Sequence, residues 1–512
     1  MPSDRSSRLR IALIASEAVP YAKTGGLADV AGALPRALAS LGHDVLLFIP
    51  RYGTIASSDL KEWRRLSVPS VVGPIDAVVE QEVLVPGSPD TGRARVMAIR
   101  HDPYFDRAGL YQERGIDYPD NLDRFTFFCR AVMEVLRALE SEDWVPDILH
   151  AHDWQAALCL VFGKILYADY IRRRAIASVF TVHNLGYQGL FPGAAFPRTG
   201  LPSSVFTPTT LEFYGSCNLL KGGLIFGDLL STVSRTYGEE IQTPEYGFGL
   251  DGVIRDRRDR MTGVVNGIDV DVWDPSRDRH LPAHYSIADL RGKQACKTAL
   301  QREMDLPPHD VPLLGVISRL TSQKGLDLLA AILPDVMALD VQLVMLGTGD
   351  PALEEEFRSW QTRYPKKIGI RLAFDEGLAH RIEAGADMFL MPSRYEPCGL
   401  NQLYSLRYGT VPIVRRTGGL ADTVVPYSPT AIAEGRATGF MFRSPAPDSL
   451  LMATLLALQV YRDRDQWARL IQAGMRTDVS WEASARAYVR LFREARQYVG
   501  VPDGEKDSER KG

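Results

Sequence analysis

The chain has 512 residues, 45% hydrophobic and 24% charged, and its 59 basic and 63 acidic side chains give a formal net charge of -4. This length exceeds what one hydrophobic core usually covers, and the composition is that of a globular protein, which argues against disorder, fibrous structure and a membrane span. The balanced charge excludes a nucleic-acid protein held by phosphate neutralisation. Five cysteines without CxxC spacing favour reduced thiols and a cytoplasmic location.

Short apolar, β-branched runs alternate with helical patterns in the first half of the chain. Residues 9–16 predict the first strand, because the apolar run is only about six residues long, too short for a signal peptide. Residues 28–41 predict the following helix, which Gly42 ends. Buried strands are predicted at residues 44–50, 94–100, 147–150 and 179–183. Such continuously apolar strands are typical of parallel βαβ units.

After a polar, proline-containing stretch the pattern restarts, with predicted strands at residues 311–318, 341–346, 368–373, 388–392 and 411–415. Glycine and turn formers concentrate in YGFGLDG and NGID, near residues 250–270, and indicate the boundary. We therefore predict one domain over 1–260 and a second over 261–480, with a cleft between them. An amphipathic helix at about 481–498 follows, and the charged tail 501–512 is predicted to be disordered.

The first motif is KTGGLADVAG, residues 23–32, between the first strand and the first helix. Gly25 and Gly26 allow backbone amides to approach an oxyanion, and the helix start adds its positive dipole end. A tight strand-to-helix turn explains the glycines equally well, but Lys23 beside them favours an anion site. The motif is not GxGxxG and no acidic residue follows at the expected distance, so an NAD enzyme is disfavoured.

The second motif is SRLTSQKG, residues 318–325, after the first strand of the second half. Arg319 and Lys324 bracket a short loop at the carboxyl end of a parallel strand, where open α/β sheets bind ligands. Two such cations are usually solvated surface charges. Their topological position instead favours a clamp on a diphosphate.

The stretch from Pro392 to Thr423, PSRYEPCGLNQLYSLRYGTVPIVRRTGGLADT, carries the third motif. Glu396 follows a strand end, and Gly399-Leu400 open a helix whose amides suit phosphate while the carboxylate suits sugar hydroxyls. The segment 417–419 predicts a further glycine anion site. In the alternative interpretation, Glu396 is a charge at a helix N-terminus and 417–419 is a simple turn.

Two further motifs, HAHDW at 150–154 and TVHNLGYQG at 181–189, each end a predicted strand. His150 and His152 share a strand face, which makes a metal site conceivable. No HExxH motif or third ligand is evident, so satisfied interior histidines are favoured. The DVD sequence at 269–271 lies beside a glycine turn, away from any phosphate loop. We therefore expect no metal and no cofactor.

Seven motifs in order, KTGGLAD, HAHDW, TVHNLGYQG, VVNGIDVDVW, SRLTSQKGLDL, PSRYEPCGLNQLY and RRTGGLADTV, resemble the bacterial glycogen synthase and plant starch synthase family over nearly the whole chain. The resemblance implies an α/β GT-B fold, with two Rossmann-like, doubly wound parallel-sheet domains facing across a deep cleft. It places the acceptor glucan mainly on the first domain and the nucleotide sugar mainly on the second. It also implies that the last helix, 481–500, joins the first domain.

The implied activity is transfer of glucose from ADP-glucose, the co-substrate, to the non-reducing-end 4-hydroxyl of an α-1,4-glucan, with retention. No nucleic acid or membrane partner is implied. The implied catalytic residues are Glu396, Lys324, Arg319, Asp153 and His183. The implied substrate-binding residues are Lys23, Gly25, Gly26, Tyr111, Asn184, Cys398, Gly399, Leu400, Thr417, Gly418 and Gly419. Tyr404 stands where many GT-B enzymes have a second glutamate, which leaves the ribose contacts unassigned.

Several alternatives stay open at this point. A related GT-B enzyme with another donor or acceptor, such as UDP-glucose or a sucrose- or trehalose-type acceptor, fits the same glycine loops. A phosphorylase-like reaction with pyridoxal phosphate and a non-catalytic sugar-nucleotide sensor are the others. No nucleophile and acid pair like that of retaining glycosidases is evident, so front-face attack is the mechanistic hypothesis.

Overall fold

The computed structural model describes residues 8–56, 59–87 and 92–501. It divides into two compact units. Unit 1 comprises the described residues up to Val233, Gly238–Val264 and those from Trp481 onward, and unit 2 comprises Ser234–Tyr237 and Val265–Ser480. For comparison, the sequence predicts that the first domain ends at residue 260 and that the second ends at residue 480. The predicted disordered tail, 501–512, lies outside the described residues except for Val501.

Unit 1 contains a nine-stranded sheet, a three-stranded sheet and a two-stranded sheet, together with helices. Its strands are β1 (Arg10–Ile14), β2 (Asp44–Pro50), β3 (Lys61–Val68), β4 (Ile75–Val85), β5 (Arg93–Arg100), β6 (Gln112–Glu113), β7 (Ile116–Asp117), β8 (Ile148–His152), β9 (Ala177–Val182), β10 (Leu190–Pro192), β11 (Glu212–Phe213), β12 (Ser216–Asn218), β13 (Leu229–Thr232) and β14 (Met261–Gly263). The helices in this part of the chain are α1 (Gly26–Ser40), α2 (Asp102–Phe105), α3 (Asn121–Leu139), α4 (Asp153–Ile165), α5 (Ala168–Arg173), α6 (Leu219–Phe226), α7 (Arg235–Glu240) and α8 (Asp251–Asp256). All belong to unit 1 except the first residues of α7, up to Tyr237, which belong to unit 2.

The order of the nine-stranded sheet is β14-β13-β9-β8-β1-β2-β5-β4-β3. All pairs from β14 to β5 are parallel. Strand β1 lies between β2 and β8, so the chain first runs outward on one side of β1 and later on the other. The carboxyl ends of β1 and β8 therefore mark the topological switch point, where open α/β sheets bind ligands.

An antiparallel hairpin, β3 and β4, extends this sheet and was not among the predicted strands. Strand β3 reads KEWRRLSV and is largely exposed. Its charged residues suit an edge strand, because charge on an edge discourages pairing with another chain. Strand prediction based on buried apolar runs misses such a segment.

Unit 2 contains strands β15 (Leu313–Ile317), β16 (Gln342–Leu346), β17 (Ile368–Arg371), β18 (Met388–Met391), β19 (Val411–Arg415) and β20 (Phe440–Phe442). Its helices are α9 (Arg291–Glu303), α10 (Leu326–Met337), α11 (Pro351–Arg363), α12 (Glu376–Gly385), α13 (Asn401–Tyr408), α14 (Gly418–Thr423), α15 (Pro429–Ala433), α16 (Pro447–Tyr461) and α17 (Arg464–Arg476).

The six strands of unit 2 form a parallel sheet in the order β17-β16-β15-β18-β19-β20. Strands β15 and β18 are neighbours, and the chain builds outward from them in both directions. Leucine, isoleucine and valine side chains of α10, α16 and the strands bury one face of the sheet. The switch point of this unit lies at the carboxyl ends of β15 and β18.

The last helix, α18 (Trp481–Tyr498), belongs to unit 1. It packs on α1 and β9, and its buried residues include Tyr488 and Phe492. Both rings lie 5.2 Å from the His150 ring of β8. No helix among the described residues combines the length and the hydropathy that a membrane span requires.

Candidate active site

The glycine loop of unit 1 follows β1 and is held by a carboxylate from the same loop. Glu17 accepts hydrogen bonds from the Thr24 amide at 2.5 Å and the Gly25 amide at 3.2 Å, and the Thr24 hydroxyl donates to it at 2.9 Å. Burial raises the pKa of Glu17, and these hydrogen bonds oppose that shift. The predicted anion site therefore binds an anion from its own chain in this state, which shows that these amides are oriented to receive a negative charge.

Lys23 lies beside this loop, as predicted, with its ammonium 2.7 Å from Asp29 of α1. The side chain is 44% exposed. An exposed pair of this kind contributes little stability, so the lysine can exchange Asp29 for a ligand phosphate at small cost.

Tyr111 reaches the same loop from the segment before β6. Its hydroxyl lies 2.7 Å from the Ser16 hydroxyl and donates to Glu17 at 3.0 Å. Burial, with the nearby Glu17 charge, raises the pKa of Tyr111 well above its ordinary value, so it remains a neutral donor. The structure thus brings Tyr111 and the glycine loop together through Glu17.

Asp153 starts α4 directly after β8 and has a left-handed backbone, with φ of 56°. Its carboxylate accepts the His183 amide at 2.7 Å and also the Asn184 amide. Burial raises the pKa of Asp153 to about 7, and the Glu17 charge adds to the shift. The structure therefore brings together the ends of β8 and β9, and their predicted residues, at the switch point of unit 1.

Three buried histidines lie near this point, His150 and His152 on β8 and His183 directly after β9. His152 Nδ1 and His183 Nε2 are 2.8 Å apart, and His150 Nε2 is 2.6 Å from the Thr181 hydroxyl. Burial lowers the pKa of both His150 and His183 to about 3 and that of His152 well below its ordinary value. All three are neutral at physiological pH, so they supply hydrogen bonds rather than charge.

In unit 2, the predicted cation and carboxylate form an ion pair. Lys324 Nζ is 2.7 Å from Glu396 Oε2, and the side chains are 20% and 7% exposed. The Ser393 hydroxyl donates to the same oxygen at 2.8 Å. Because both contacts use Oε2, the Oε1 atom keeps its capacity to accept a hydrogen bond from a ligand.

The loops after β15 and β18 are interlocked around this pair. The Arg394 amide donates to the Gln323 carbonyl at 2.8 Å, and the Gln323 side chain donates to the Tyr395 carbonyl at 3.3 Å. Gly325 has φ of 63°, and a Cβ there would lie 2.1 Å from the Pro392 carbonyl oxygen. A glycine is therefore needed both for the backbone conformation and for the close approach.

Arg319 lies on the first of these loops and is exposed. Within residues 8–56, 59–87 and 92–501, its guanidinium has no hydrogen-bond or ion-pair partner. Arg319 and Lys324 lie on the same loop after β15. An exposed guanidinium can bind an anion through two parallel hydrogen bonds.

The predicted glycine pair at 418–419 supports the Glu396 loop. The Gly419 amide donates to the carbonyls of Glu396 and Pro397, each at 3.1 Å. A Cβ on Gly418 would lie 1.9 Å from the Glu396 carbonyl oxygen, and one on Gly419 would lie 2.1 Å from that of Cys398. The Gly419 amide therefore already holds the chain around Glu396.

Cys398, Gly399 and Leu400 lead into α13, as predicted, and Leu400 is its N-cap residue. Cys398 is buried, and burial raises the pKa of its thiol to about 12, so it is not a thiolate. The Gln402 side chain donates to the Cys398 carbonyl at 2.9 Å and to that of Gly399 at 3.1 Å. This arrangement fixes the loop that precedes α13.

Tyr404 stands at the position where many GT-B enzymes have a second glutamate, and its side chain faces the interior of unit 2. It is buried and its ring stacks on Trp273 with centroids 3.7 Å apart. The opposite face of Trp273 stacks on His380 at 3.7 Å. Tyr404 therefore contributes to packing.

Some residues around the predicted site were not foreseen. The sequence indicated no role for Glu17 or Ser393, and it favoured an ordinary interior histidine at His152. A carboxylate that binds amides seven and eight residues later leaves no recognisable pattern in a single sequence. The alternating HAH of β8 did place His150 and His152 on one face, and their ring centroids are 4.1 Å apart.

Two parallel α/β units, each with polar loops at its switch point, define the class of two-domain sugar-nucleotide glycosyltransferases. The protein-family model for the starch synthase catalytic domain matches residues 10–256, and the family model for glycosyl transferases group 1 matches residues 298–473. The fold is similar to the catalytic domain of starch synthase IV from Arabidopsis thaliana bound to ADP and acarbose, with TM-score 0.85 and 32% identity, covering 96% of this chain and 100% of that one.

The chain is also 49% identical over 495 residues to a glycogen synthase from Anaeromyxobacter dehalogenans, covering 95% of this chain and 99% of that one. It is 44% identical over 490 residues to a glycogen synthase 2 from Geobacter sulfurreducens, again covering 95% and 99%. The chain therefore belongs to the glycogen synthase and starch synthase family, and it is a glycosyltransferase. The predicted family and GT-B fold are confirmed.

Proposed function

We propose that the chain transfers glucose from ADP-glucose to the non-reducing-end 4-hydroxyl of an α-1,4-glucan, retains the anomeric configuration and releases ADP. The observation that carries the residue assignment is the Lys324–Glu396 pair at the switch point of unit 2. Arg319 lies on the same loop as Lys324, and its guanidinium has no partner among the residues that the structure describes. The fold, the family and the ADP bound to the starch synthase relative support the choice of donor.

In this proposal unit 2 holds the donor. The leaving diphosphate accumulates negative charge on its bridging oxygen, and Arg319 and Lys324 neutralise that charge. A lysine ammonium has three donors, so Lys324 can keep its bond to Glu396 while it binds phosphate. Glu396 Oε1 then accepts a glucose hydroxyl, and the start of α13 receives phosphate oxygens.

Unit 1 provides neutral hydrogen-bonding groups and one further cation, Lys23. Asp153 fixes the backbone at His183 and Asn184. Neutral His183 and Tyr111 supply hydrogen bonds to sugar hydroxyls, and Lys23 with the Gly25–Gly26 loop binds donor phosphate in place of Asp29. The acceptor hydroxyl attacks from the leaving-group side: the bond from C1 to the phosphate oxygen breaks, the bond from C1 to O4 forms, and the hydroxyl proton passes to phosphate.

The test uses the purified chain with radiolabelled ADP-glucose or UDP-glucose at equal concentration and glycogen as primer. We expect label to enter glycogen faster from ADP-glucose, with one ADP released for each glucose incorporated. Digestion with β-amylase should then release labelled maltose, because that enzyme cleaves α-1,4 bonds from non-reducing ends. Absence of label from glycogen with either donor would contradict the proposal.

We further propose that the reaction needs no metal ion or cofactor, since Arg319 and Lys324 supply the positive charge that the leaving group requires. Activity should survive dialysis against EDTA; a loss restored by Mg²⁺ would contradict this. The cytoplasm is the location we propose, which the five free, buried cysteines support.

A further inference from the structure

Three exposed aromatic side chains of unit 1 lie on turns next to the site. Tyr214 is 87% exposed, Tyr187 is 55% exposed and Phe248 is 41% exposed. We call these three residues the aromatic rim. Tyr214 is in the turn between β11 and β12, Tyr187 follows β9, and Phe248 precedes α8. Exposed aromatic rings are costly in water, and a group of them marks a binding surface.

Two of the rim residues adopt a backbone conformation that aromatic residues rarely take. Tyr214 has φ of 49° and is followed by Gly215 at 82°; Phe248 has φ of 47° and is followed by Gly249 at 81°. Such pairs form tight turns in which asparagine or glycine is strongly preferred at the first position. A bulky residue with positive φ is a strained exception, and strain of this kind is kept where the side chain has a use.

The two turns are close to each other. A Cβ on Gly249 would lie 2.9 Å from Phe213 Cζ and 3.9 Å from Tyr214 Cε2. Phe213 and Tyr214 also form an edge-to-face pair with centroids 4.7 Å apart. The Phe248 turn therefore packs on the tip of the β11–β12 hairpin, and both rings belong to one surface.

A polar connection joins the rim to the site residues. The side chain of Gln188 donates to the Phe248 carbonyl at 3.1 Å and accepts from Asn218 at 2.7 Å. The Tyr187 amide donates to the carbonyl of Asn184 at 3.2 Å. The rim is thus continuous with the loop that carries the sugar-site residues after β9.

We propose that the aromatic rim binds the acceptor glucan, on glucose units beyond the one that is elongated; this inference rests on the proposed function. The C–H face of a glucose unit is apolar and its edge carries hydroxyls. Such a unit fits an exposed aromatic face, whose quadrupole attracts polarised C–H groups, next to amide side chains that bind hydroxyls. A neutral chain of glucose units matches this surface of rings and amides.

The test compares Tyr214→Asn, Phe248→Asn and the double variant with the wild-type chain. Asparagine suits the left-handed position, so we expect the melting temperature to stay unchanged or rise. If each ring stacks on one glucose unit, KM for maltoheptaose should rise roughly threefold to tenfold in each single variant, and further in the double one. KM for ADP-glucose at saturating acceptor should stay within about twofold.

Arg114→Asn is the matched control. Arg114 and Gly115 have φ of 52° and 81° and join β6 to β7 in the same kind of two-residue turn, without an aromatic ring. This variant should share the stability change and leave KM for maltoheptaose unchanged. It separates relief of backbone strain from loss of a ring.

Three results would overturn the inference. An unchanged KM for maltoheptaose in the double variant shows that the rim does not bind the acceptor. A lower melting temperature with unchanged KM assigns the rings to packing, and a changed oligomeric state with unchanged KM assigns them to contact with a second copy. If the wild-type chain elongates no glucan, the proposed function is wrong, but binding by the aromatic rim can still be tested. Glycogen in a native gel should then slow the migration of the wild-type chain and not that of the double variant.

Discussion

The two units place different chemistry at equivalent positions of similar sheets. At the β1–β8 switch point of unit 1, the buried groups are neutral histidines and carboxyls with raised pKa. At the β15–β18 switch point of unit 2, a buried carboxylate is paired with Lys324 at 2.7 Å, and the guanidinium of Arg319 is nearby in sequence. The same topology therefore carries buried groups with strongly shifted pKa values in unit 1 and a buried ion pair in unit 2.

The largest effect on activity is expected when the fixed charge of unit 2 is removed. Lys324→Ala should lower kcat/KM for ADP-glucose by about tenfold to a few hundredfold, because one charge-assisted contact to the leaving group is lost. The variant also leaves Glu396 without its cation, and unfolding free energy should fall by about 1–3 kcal/mol. Steady-state kinetics and urea unfolding measure the two effects.

The double variant Lys324→Met with Glu396→Gln separates these effects. It removes both charges, so stability should recover towards the wild-type value while activity stays low. If Lys324→Ala instead retains full kcat/KM for the nucleotide sugar, Lys324 does not bind the diphosphate.

A pair of alanine substitutions compares the glycine loops of the two units. Gly418→Ala should lower the unfolding free energy by about 2–4 kcal/mol and displace Glu396, because its Cβ would lie 1.9 Å from the Glu396 carbonyl oxygen at a φ of 43°. Gly25→Ala should change stability by less than about 1 kcal/mol, since the added Cβ would meet no described atom within 4 Å outside residues 24–26, and the φ of residue 25 is -156°.

The activity of Gly25→Ala then decides between the two interpretations of that loop. If donor phosphate approaches the backbone at Gly25, the added methyl group should raise KM for ADP-glucose while stability is unchanged. An unchanged KM favours the simple strand-to-helix turn that the sequence alone left open.

The glycine loops show which parts of the fold and of the site can be predicted from a single sequence. Continuous apolar runs located most of the parallel strands within a few residues, because burial on both faces leaves a readable pattern. The loops bearing Lys23, Arg319 and Glu396 were found because they follow those strands. The use of Gly419 to hold Glu396, and of Glu17 to occupy the amides of Thr24 and Gly25, depends on contacts between loops that no local pattern encodes.

The raised pKa of Asp153 in unit 1 predicts that the stability of the folded chain depends on pH. The folded state holds a proton up to about pH 7, whereas the unfolded carboxyl loses it near pH 4. The folded state therefore binds more protons between these values, and its stability falls as pH rises through this window. Asp153→Asn should remove about 2 kcal/mol of that fall, because asparagine accepts the same amides and suits a positive φ.

Urea unfolding at pH 4.5 and pH 7.5 measures this difference. The control is Asp29→Asn, whose carboxylate is partly exposed and paired with Lys23. Equal pH dependence in wild type and Asp153→Asn would show that Asp153 is ionised throughout, and unit 1 would then carry a fixed charge as unit 2 does.

The smallest effect concerns the bond between His152 and His183. His152 Nε2 is buried without a hydrogen-bond partner among the described residues. A buried N–H without an acceptor costs more than a bare lone pair, so the proton of His152 belongs on Nδ1, where it donates to His183 Nε2. His183 then carries its own proton on Nδ1, and His152 acts as a positioning residue for it.

The leucine and asparagine variants of His152 test this tautomer. His152→Leu should lower kcat about threefold to tenfold with little change in KM for ADP-glucose, because His183 loses the bond that fixes its ring. His152→Asn places an amide donor where Nδ1 was and should restore most of kcat. His150→Asn, which disturbs a buried histidine bonded to Thr181 instead, should cost stability without this loss of kcat. Equal kcat in the leucine and asparagine variants would mean that the ring of His152 fills space only, and the hydrogen-bonded arrangement of unit 1 would end at His183.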